Sequence, residues 1–443
     1  MKLYSLLIIF LFLSKDISAQ EVPLRAITLD EAINLALQSN KQIKIQSIET
    51  TIAKNNVYLG NAGLLPTVNL KGSGEYSNNQ QEVNIRTFQP NPPNITFNEN
   101  GVTSQTVAAV VQADYQILGG FAGKYRYRLL QNQSSVAGLQ QQVLINNTII
   151  GITEIFVEIA KLQSREELLS ESILITKNRL EKANNNKQFG QGTGLDVLRA
   201  ETDLNKETSS LDDISLLKSN LIKELNRTIG FESAASYRVN VNYTLPKNME
   251  ATNVIEQVKS NNPAIQLAKQ GLVLANNQIG LARSEYLPKM NLFANYGYFN
   301  QRNDIQQLAE IQNLGFVLGG SVRLNVFNGG KNRKDVFNAK LNLEKQELTV
   351  NDTEEQIVTA AYQELNSLNI LEKQLVRETT NLVTFQETFN RTQDRYYNGQ
   401  ATNLDLRDTQ TALLDAKIAI NDIKLKIIQS TIRLNSLKGI VLE

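Results

Sequence analysis

Asp405 and Asp408 stand three residues apart in the run Leu404-Asp405-Leu406-Arg407-Asp408. On a helix that spacing puts both carboxylates on one face. Carboxylates are the reactive groups left to this chain, because it contains no His and no Cys. Ser-His-Asp and Cys-His catalysis are therefore excluded, as are zinc and iron–sulfur sites. Composition leaves room for a carboxylate-only or Ser-Lys enzyme, but no motif supports one. The plain reading of the pair is a solvated helix face, or a carboxylate favoured by the helix dipole. The glycine pairs Gly119-Gly120 and Gly329-Gly330 invite a phosphate-loop reading, yet no Gly-Lys-Ser/Thr follows either. No cofactor is expected. With 45 Lys+Arg against 44 Asp+Glu, a nucleic-acid partner is not expected either.

The elements that hold these residues form a tandem repeat. Gly190 and Gly399 are 209 apart, as are Asp196 and Asp405, Asn226 and Asn435, and Gly230 and Gly439. A repeat must be recognised before a fold is assigned. In the later copy Leu406, Leu413, Ile420, Ile427 and Leu434 fall every seven residues. Thr409, Ala416, Ile423, Ser430 and Leu437 follow each by three, which is a heptad seam. The earlier copy reads Val197, Leu204, Leu211, Lys218 and Leu225, so Lys218 interrupts it.

Upstream, a second offset of 222 relates Asn40 to Asn262 and Leu65-Pro66 to Leu287-Pro288. After each Pro the pattern changes to period two. Val68, Leu70 and Tyr76 share one face; so do Val107, Ala109, Val111, Ala113, Tyr115 and Ile117. In the later copy Met290, Leu292, Ala294, Tyr296 and Tyr298 share a face, as do Phe316, Leu318, Gly320, Val322, Leu324 and Val326. Strands of about ten residues can cross a membrane when tilted; a soluble sheet with one wet face is the competing reading. Asn78 to Gly101 and Gln301 to Asn313 are polar and read as hairpin loops, the first 13 residues longer. From Phe121 and from Lys331 two polar stretches run as helices of about 100 Å.

Met1 to Ala19 reads as a signal peptide, with Lys2 before an apolar core too short to span a bilayer. The expected organisation is signal peptide 1–19, first repeat 20–230, linker 231–250, second repeat 251–439 and tail 440–443. Strands are expected at about 66–78, 103–118, 288–300 and 314–328, and tip turns at 190–195 and 399–404. Pro66, Gly120, Pro288 and Gly329 mark the strand–helix transitions. The fold class is mainly α with a membrane β-barrel contribution. Four strands cannot close a barrel, and open edges are not tolerated in lipid, so several chains must pool them.

This order of motifs resembles the TolC family of outer membrane efflux proteins over nearly the whole mature chain. The carrying residues are the duplicated Leu-Pro, the Gly-Gly after the second strand, and Phe189-Gly190…Leu195-Asp196-Val197-Leu198 with Tyr397-Asn398-Gly399…Leu404-Asp405-Leu406. The resemblance implies a homotrimer sharing one 12-stranded barrel and an α-helical periplasmic tunnel. It implies a passive exit duct for small molecules or proteins, placed in the outer membrane of a Gram-negative bacterium. Its partners would be a periplasmic adaptor, an inner-membrane pump and outer-membrane lipid. It puts Asp405, Asp408 and Tyr396 at a periplasmic pore constriction; an arginine of the family's constriction falls here on Ala401. Adaptor contact would involve the tips Gly190, Gly192, Thr193, Leu195, Asp196, Gly399, Thr402 and Leu404. Some members are anchored by an acylated cysteine, which this sequence lacks. Two other readings are a periplasmic adaptor with helical hairpins and a cell-wall hydrolase. The duplication and the four alternating strands weigh against the first, and the even spread of acids against the second.

Overall fold

The computed structural model describes residues 26–85, 95–241, 250–304 and 309–440. The expected signal peptide lies outside the described residues. So do 86–94 and 305–308 of the hairpin loops, 242–249 of the expected linker and 441–443 of the tail.

The chain is mainly helical. It opens with β1 (Ala26–Thr28), α1 (Leu29–Ser39) and α2 (Lys41–Asn55). A hairpin of β2 (Thr67–Ile85) and β3 (Ile95–Gly119) leads into α3 (Ala122–Gln188) and α4 (Gly194–Ile229). After β4 (Arg238–Asn240) the plan recurs as α5 (Ala251–Asn261), α6 (Pro263–Ser284), β5 (Lys289–Asn303), β6 (Glu310–Arg323), α7 (Lys331–Tyr397) and α8 (Asn403–Leu437). Local chemistry sets the boundaries. Thr28 Oγ1 accepts from Glu31 N–H at the start of α1. Asn262 Oδ1 accepts from Ala264 and Ile265 N–H, with Pro263 in the first turn of α6. One pair of contacts occurs twice, at the repeat spacings. Asn40 Nδ2 donates to Thr228 O, and Asn262 Nδ2 to Leu437 O. Gly230 lies against Ser39, and Gly439 against Asn261.

The chain divides into two compact units. The first comprises the described residues within Met1–Asn40, Thr148–Lys247 and Asn366–Arg433. In it β1 pairs in parallel with β4, and α1 packs on α4. Leu406, Leu413, Ile420 and Ile427 of the α8 seam are buried here. The α4 seam is looser: of its five heptad positions only Leu225 is fully covered. Lys218, which interrupts that seam, forms an ion pair with Glu166 of α3. By length and composition α3 contains an 18-residue stretch apolar enough to cross a membrane. Its Ile149, Ile152, Phe156 and Ile159 are buried within the unit.

The second unit comprises the described residues within Lys41–Asn147, Asn248–Leu365 and Leu434–Glu443. It holds one antiparallel sheet in the order β2-β3-β5-β6. Register brings the alternating apolar residues together: Leu70 lies opposite Val111, Val111 opposite Tyr296, and Tyr296 opposite Phe316. This face is exposed, with Leu70 at 78% and Phe316 at 80%. The other face mixes Val110, Phe293, Phe299 and Val317 with polar side chains that bond one another; Lys71 donates to Gln112, which donates to Asp114. Two segments differ from the sequence reading. The polar loop from Asn78 is partly strand, since the β2–β3 ladder continues past a bulge at Asn79/Gln81 to the pair Ile85–Ile95. Backbone pairing satisfies a ladder whatever the side chains. Conversely, β6 stops at Arg323 rather than near 328, because β5 begins at Lys289, the partner of Arg323, and offers nothing beyond it.

Pro66 and Pro288 stand just before β2 and β5. The return to helix needs left-handed backbone, with φ of 59° at Gly120 and 67° at Gly329. A Cβ on Gly120 would lie 2.4 Å from Ser284 O, whereas one on Gly329 would meet nothing within 4 Å. Gly329→Ala should therefore cost only the conformational penalty, about 1–2 kcal/mol. Gly120→Ala should cost more, because backbone must also move. Thermal unfolding of the two variants followed by circular dichroism checks this ranking; equal losses would contradict it.

Candidate functional site

The two turns between long helices are built alike. α3 runs into Gly190 at φ 71° and α7 into Gly399 at φ 72°. Gln191 N–H donates to Asn186 O at 2.8 Å, and Gly190 N–H to Lys187 O at 3.1 Å. Gln400 N–H donates to Arg395 O at 2.7 Å, and Gly399 N–H to Tyr396 O at 3.1 Å. This is a Schellman ending, which glycine alone adopts without steric cost. Gly192 is confined differently, since a Cβ there would lie 2.9 Å from Asn186 Cβ.

A capping box follows each turn. Asp196 Oδ2 accepts from Thr193 Oγ1 at 2.6 Å and Thr193 N–H at 3.3 Å, while Asp196 N–H donates to Thr193 Oγ1. Asp405 repeats this with Thr402, at 2.7 Å from Oγ1 and 2.9 Å from N–H, and Asp405 N–H donates to Thr402 Oγ1. These bonds from Thr402 hold the Asp405 carboxyl below its ordinary value of 3.8. Asp405 thus starts α8 and keeps its charge. The sequence reading missed both boxes, although Thr-x-x-Asp recurring at 209 residues is their signal.

Asp408 is exposed on the next turn and pairs with Arg407 at 3.0 Å. Tyr396 is placed differently from expectation. Its ring is 5% exposed and packs with Phe389, Leu406 and Leu413, while Ala401 leans on the same cluster. A side chain buried within its own chain cannot line a lumen, so Tyr396 supports the turn from behind. Burial also raises its hydroxyl above the ordinary value of 10.0. The two turns are tied together. Asn403 Nδ2 donates to Asp196 O at 3.1 Å, and Lys182 Nζ donates to Tyr397 O at 2.8 Å. The Lys182 ammonium also sits 5.0 and 4.8 Å from the ring centres of Tyr396 and Tyr397. Around the turns Phe189, Leu195, Leu198 and Leu404 stay exposed.

A buried polar cluster, also absent from the sequence reading, joins α3, α4 and α8. Gln410 Nε2 donates to Ser172 O, Ser172 Oγ and Thr176 Oγ1 at 3.0, 2.7 and 3.1 Å. Both hydroxyls donate to Glu207 Oε1 at 3.2 Å. Arg179, 1% exposed, pairs with Asp203 at 2.5 Å. Gln410 Oε1, Glu207 Oε2 and Arg179 Nε and Nη1 are buried without hydrogen-bond partners among the described residues. Such a network fixes helix register and penalises any slip that breaks it. Its members come from the consecutive helices α3 and α4 and from α8, more than 200 residues on, and no local spacing marks them. Pro66, Gly120, Pro288 and Gly329 belong to the other unit.

Known proteins share this architecture. A family model described as Outer membrane efflux protein matches residues 254–439. The probable efflux pump outer membrane protein TtgC of Pseudomonas putida is 22% identical, the match covering 96% of this chain and 86% of that protein. The outer membrane protein TolC of Salmonella enteritidis is 22% identical over 88% of this chain and 78% of its own length. Among solved structures, VceC from Vibrio cholerae superposes with a TM-score of 0.76 at 16% identity, covering 93% of this chain and 96% of that one. CusC gives 0.75 at 16% identity over 93% and 92%. The fold is that of the outer-membrane efflux channels. Over most of its length the chain is similar to outer membrane efflux proteins, and none of these relatives is an adaptor.

Burial raises the Glu207 carboxyl above its ordinary value of 4.5, outweighing the bonds from Thr176 and Ser172. A raised acid pKa means that the folded state holds its proton longer than the unfolded one. Stability is then full below pH 4.5 and falls as pH rises through the raised value. Glu207→Gln should flatten that decline. Melting temperatures of both proteins from pH 4 upward check it; parallel curves would contradict it.

Proposed function

We propose that this protein is the channel subunit of an outer-membrane efflux assembly. It is a passive duct for small molecules or proteins exported by a pump through a periplasmic adaptor. The observation that carries the reading is the four-stranded sheet. Its exposed face is apolar from edge to edge, and β2 and β6 each present one unpaired edge. A continuous apolar outer face, with the hydrogen-bonded polar side chains kept to the opposite one, is the pattern of strands in lipid. Open edges do not survive there, so copies of the chain join edge to edge. Three copies supply twelve strands, a closed barrel with an aqueous interior.

The helical unit supplies the constriction. Threefold symmetry sets Asp405 and Asp408 of three copies in a ring of six carboxylates, which holds cations and selects by charge. Asp405 stays ionised because Thr402 stabilises the charged form. Tyr396, packed behind the turn, positions the start of α8. The exposed Phe189, Leu195 and Leu404, with the glycines of both turns, offer the adaptor an apolar contact patch.

Charge removal tests the ring. Asp405→Asn keeps an acceptor for the cap and removes only the charge; Asp408→Asn does the same for the exposed partner. Single-channel recordings in planar bilayers should show weaker block by multivalent cations in the double variant. Unchanged conductance and unchanged block would remove the two aspartates from the constriction.

A further inference from the structure

We infer that the first turns of α7 form a groove for the headgroups of anionic phospholipids in the periplasmic leaflet of the outer membrane. This rests on the membrane-channel reading. The groove, about 650 Å³, is lined by Tyr286, Arg333, Lys334, Phe337 and Lys340. From Arg323 to Lys340 the chain carries five cations and one acid, Asp335. Asp335 pairs with Lys331 at 3.8 Å. Among the described residues, no carboxylate pairs with Arg333, Lys334 or Lys340. Phe337 and Tyr286 are half exposed beside them.

The sheet places the groove at the level where headgroups lie. Phe316, Leu318, Val322, Leu324 and Val326 form an exposed apolar row that ends at Phe327. Acyl chains covering that row bring their phosphates to its end, and the groove begins two residues later, at Gly329. Aromatic rings and cations at such a boundary suit a headgroup, with the ring in the interface and the cation on the phosphate. A neighbouring copy is a poor occupant. Gly119 pairs with Lys289 and Lys289 with Arg323, so both strand-to-helix crossings leave one end of the sheet. A copy joined at the β6 edge would bring the chain that enters its β2, and no acid occurs there between Glu49 and Glu75. That copy brings no counter-charge to Arg333, Lys334 and Lys340; an anionic lipid brings the complement.

The full chain is reconstituted into vesicles of phosphatidylethanolamine with phosphatidylglycerol and extracted in mild detergent. Retained lipids are counted by native mass spectrometry. Phosphatidylglycerol should be enriched over the zwitterionic lipid. Arg333→Gln, Lys334→Gln and Lys340→Gln should each lower that enrichment, by about five-fold per charge. Lys334→Arg with Lys340→Arg should retain it, which separates charge from folding. The inference fails if the triple Gln variant keeps the preference. It also fails if added inorganic phosphate strips the lipid, or if a photocrosslinker at position 337 captures a second copy. If the unaltered chain does not enter vesicles, the channel reading falls first and this inference with it.

Discussion

The backbone polar groups along the outer edges of β2 and β6 govern the rest of the structure. Each unpaired N–H or C=O in hydrocarbon costs several kcal/mol. The exposed face of the sheet, from Leu70 through Val111 and Tyr296 to Phe316, is equally unsuited to water. The proposed channel satisfies both, with lipid against the face and a copy of the same chain at each edge. On the proposed reading the sheet is completed by other copies of the chain, and self-association is part of its folding. The strong alternation matters as much as the apolarity, because it leaves Lys71, Gln112 and Asp114 together on the other face, where they bond one another.

The helical part meets a different constraint. Helices of 67 residues have few intrinsic devices to fix their register along one another. The α8 heptads give a regular apolar seam, but a regular seam tolerates a slip of seven residues. Polar contacts at unique heights remove that freedom. Gln410 meets Ser172 and Thr176, Arg165 pairs with Asp422 at 2.7 Å, and Asn421 donates to Ser164 at 2.6 Å. Where such contacts are buried, as at Gln410, they trade stability for specificity. The turns add a second restraint. A Schellman ending and a capping box within a few residues fix where each helix stops and the next begins, so the aspartate that caps α8 is also the one with a defined position at its end.

Much of this was legible in the sequence wherever the signal was local or periodic. The offsets of 209 and 222, the heptads of α8 and the alternation after each Leu-Pro are patterns of that kind. The glycines at the helix ends were legible too, because left-handed backbone admits few other residues. The misreadings have a common cause. Polar side chains from Asn78 onward suggested loop, but a ladder depends on backbone and on the partner strand. Leu324 and Val326 continued the alternation, yet pairing ends where β5 begins. Tyr396 carried a family role, but what surrounds a ring is decided by Phe389 and Leu413, residues 7 and 17 positions away in a folded chain. The Gln410 network joins three helices and leaves no local trace at all.

The central claim is that the chain cannot complete its own sheet. Native mass spectrometry of protein extracted from outer membranes in mild detergent measures this directly. The account predicts a particle of three copies that persists until the sheet melts. A stable, folded monomer, in detergent or in the soluble periplasmic fraction, would contradict it.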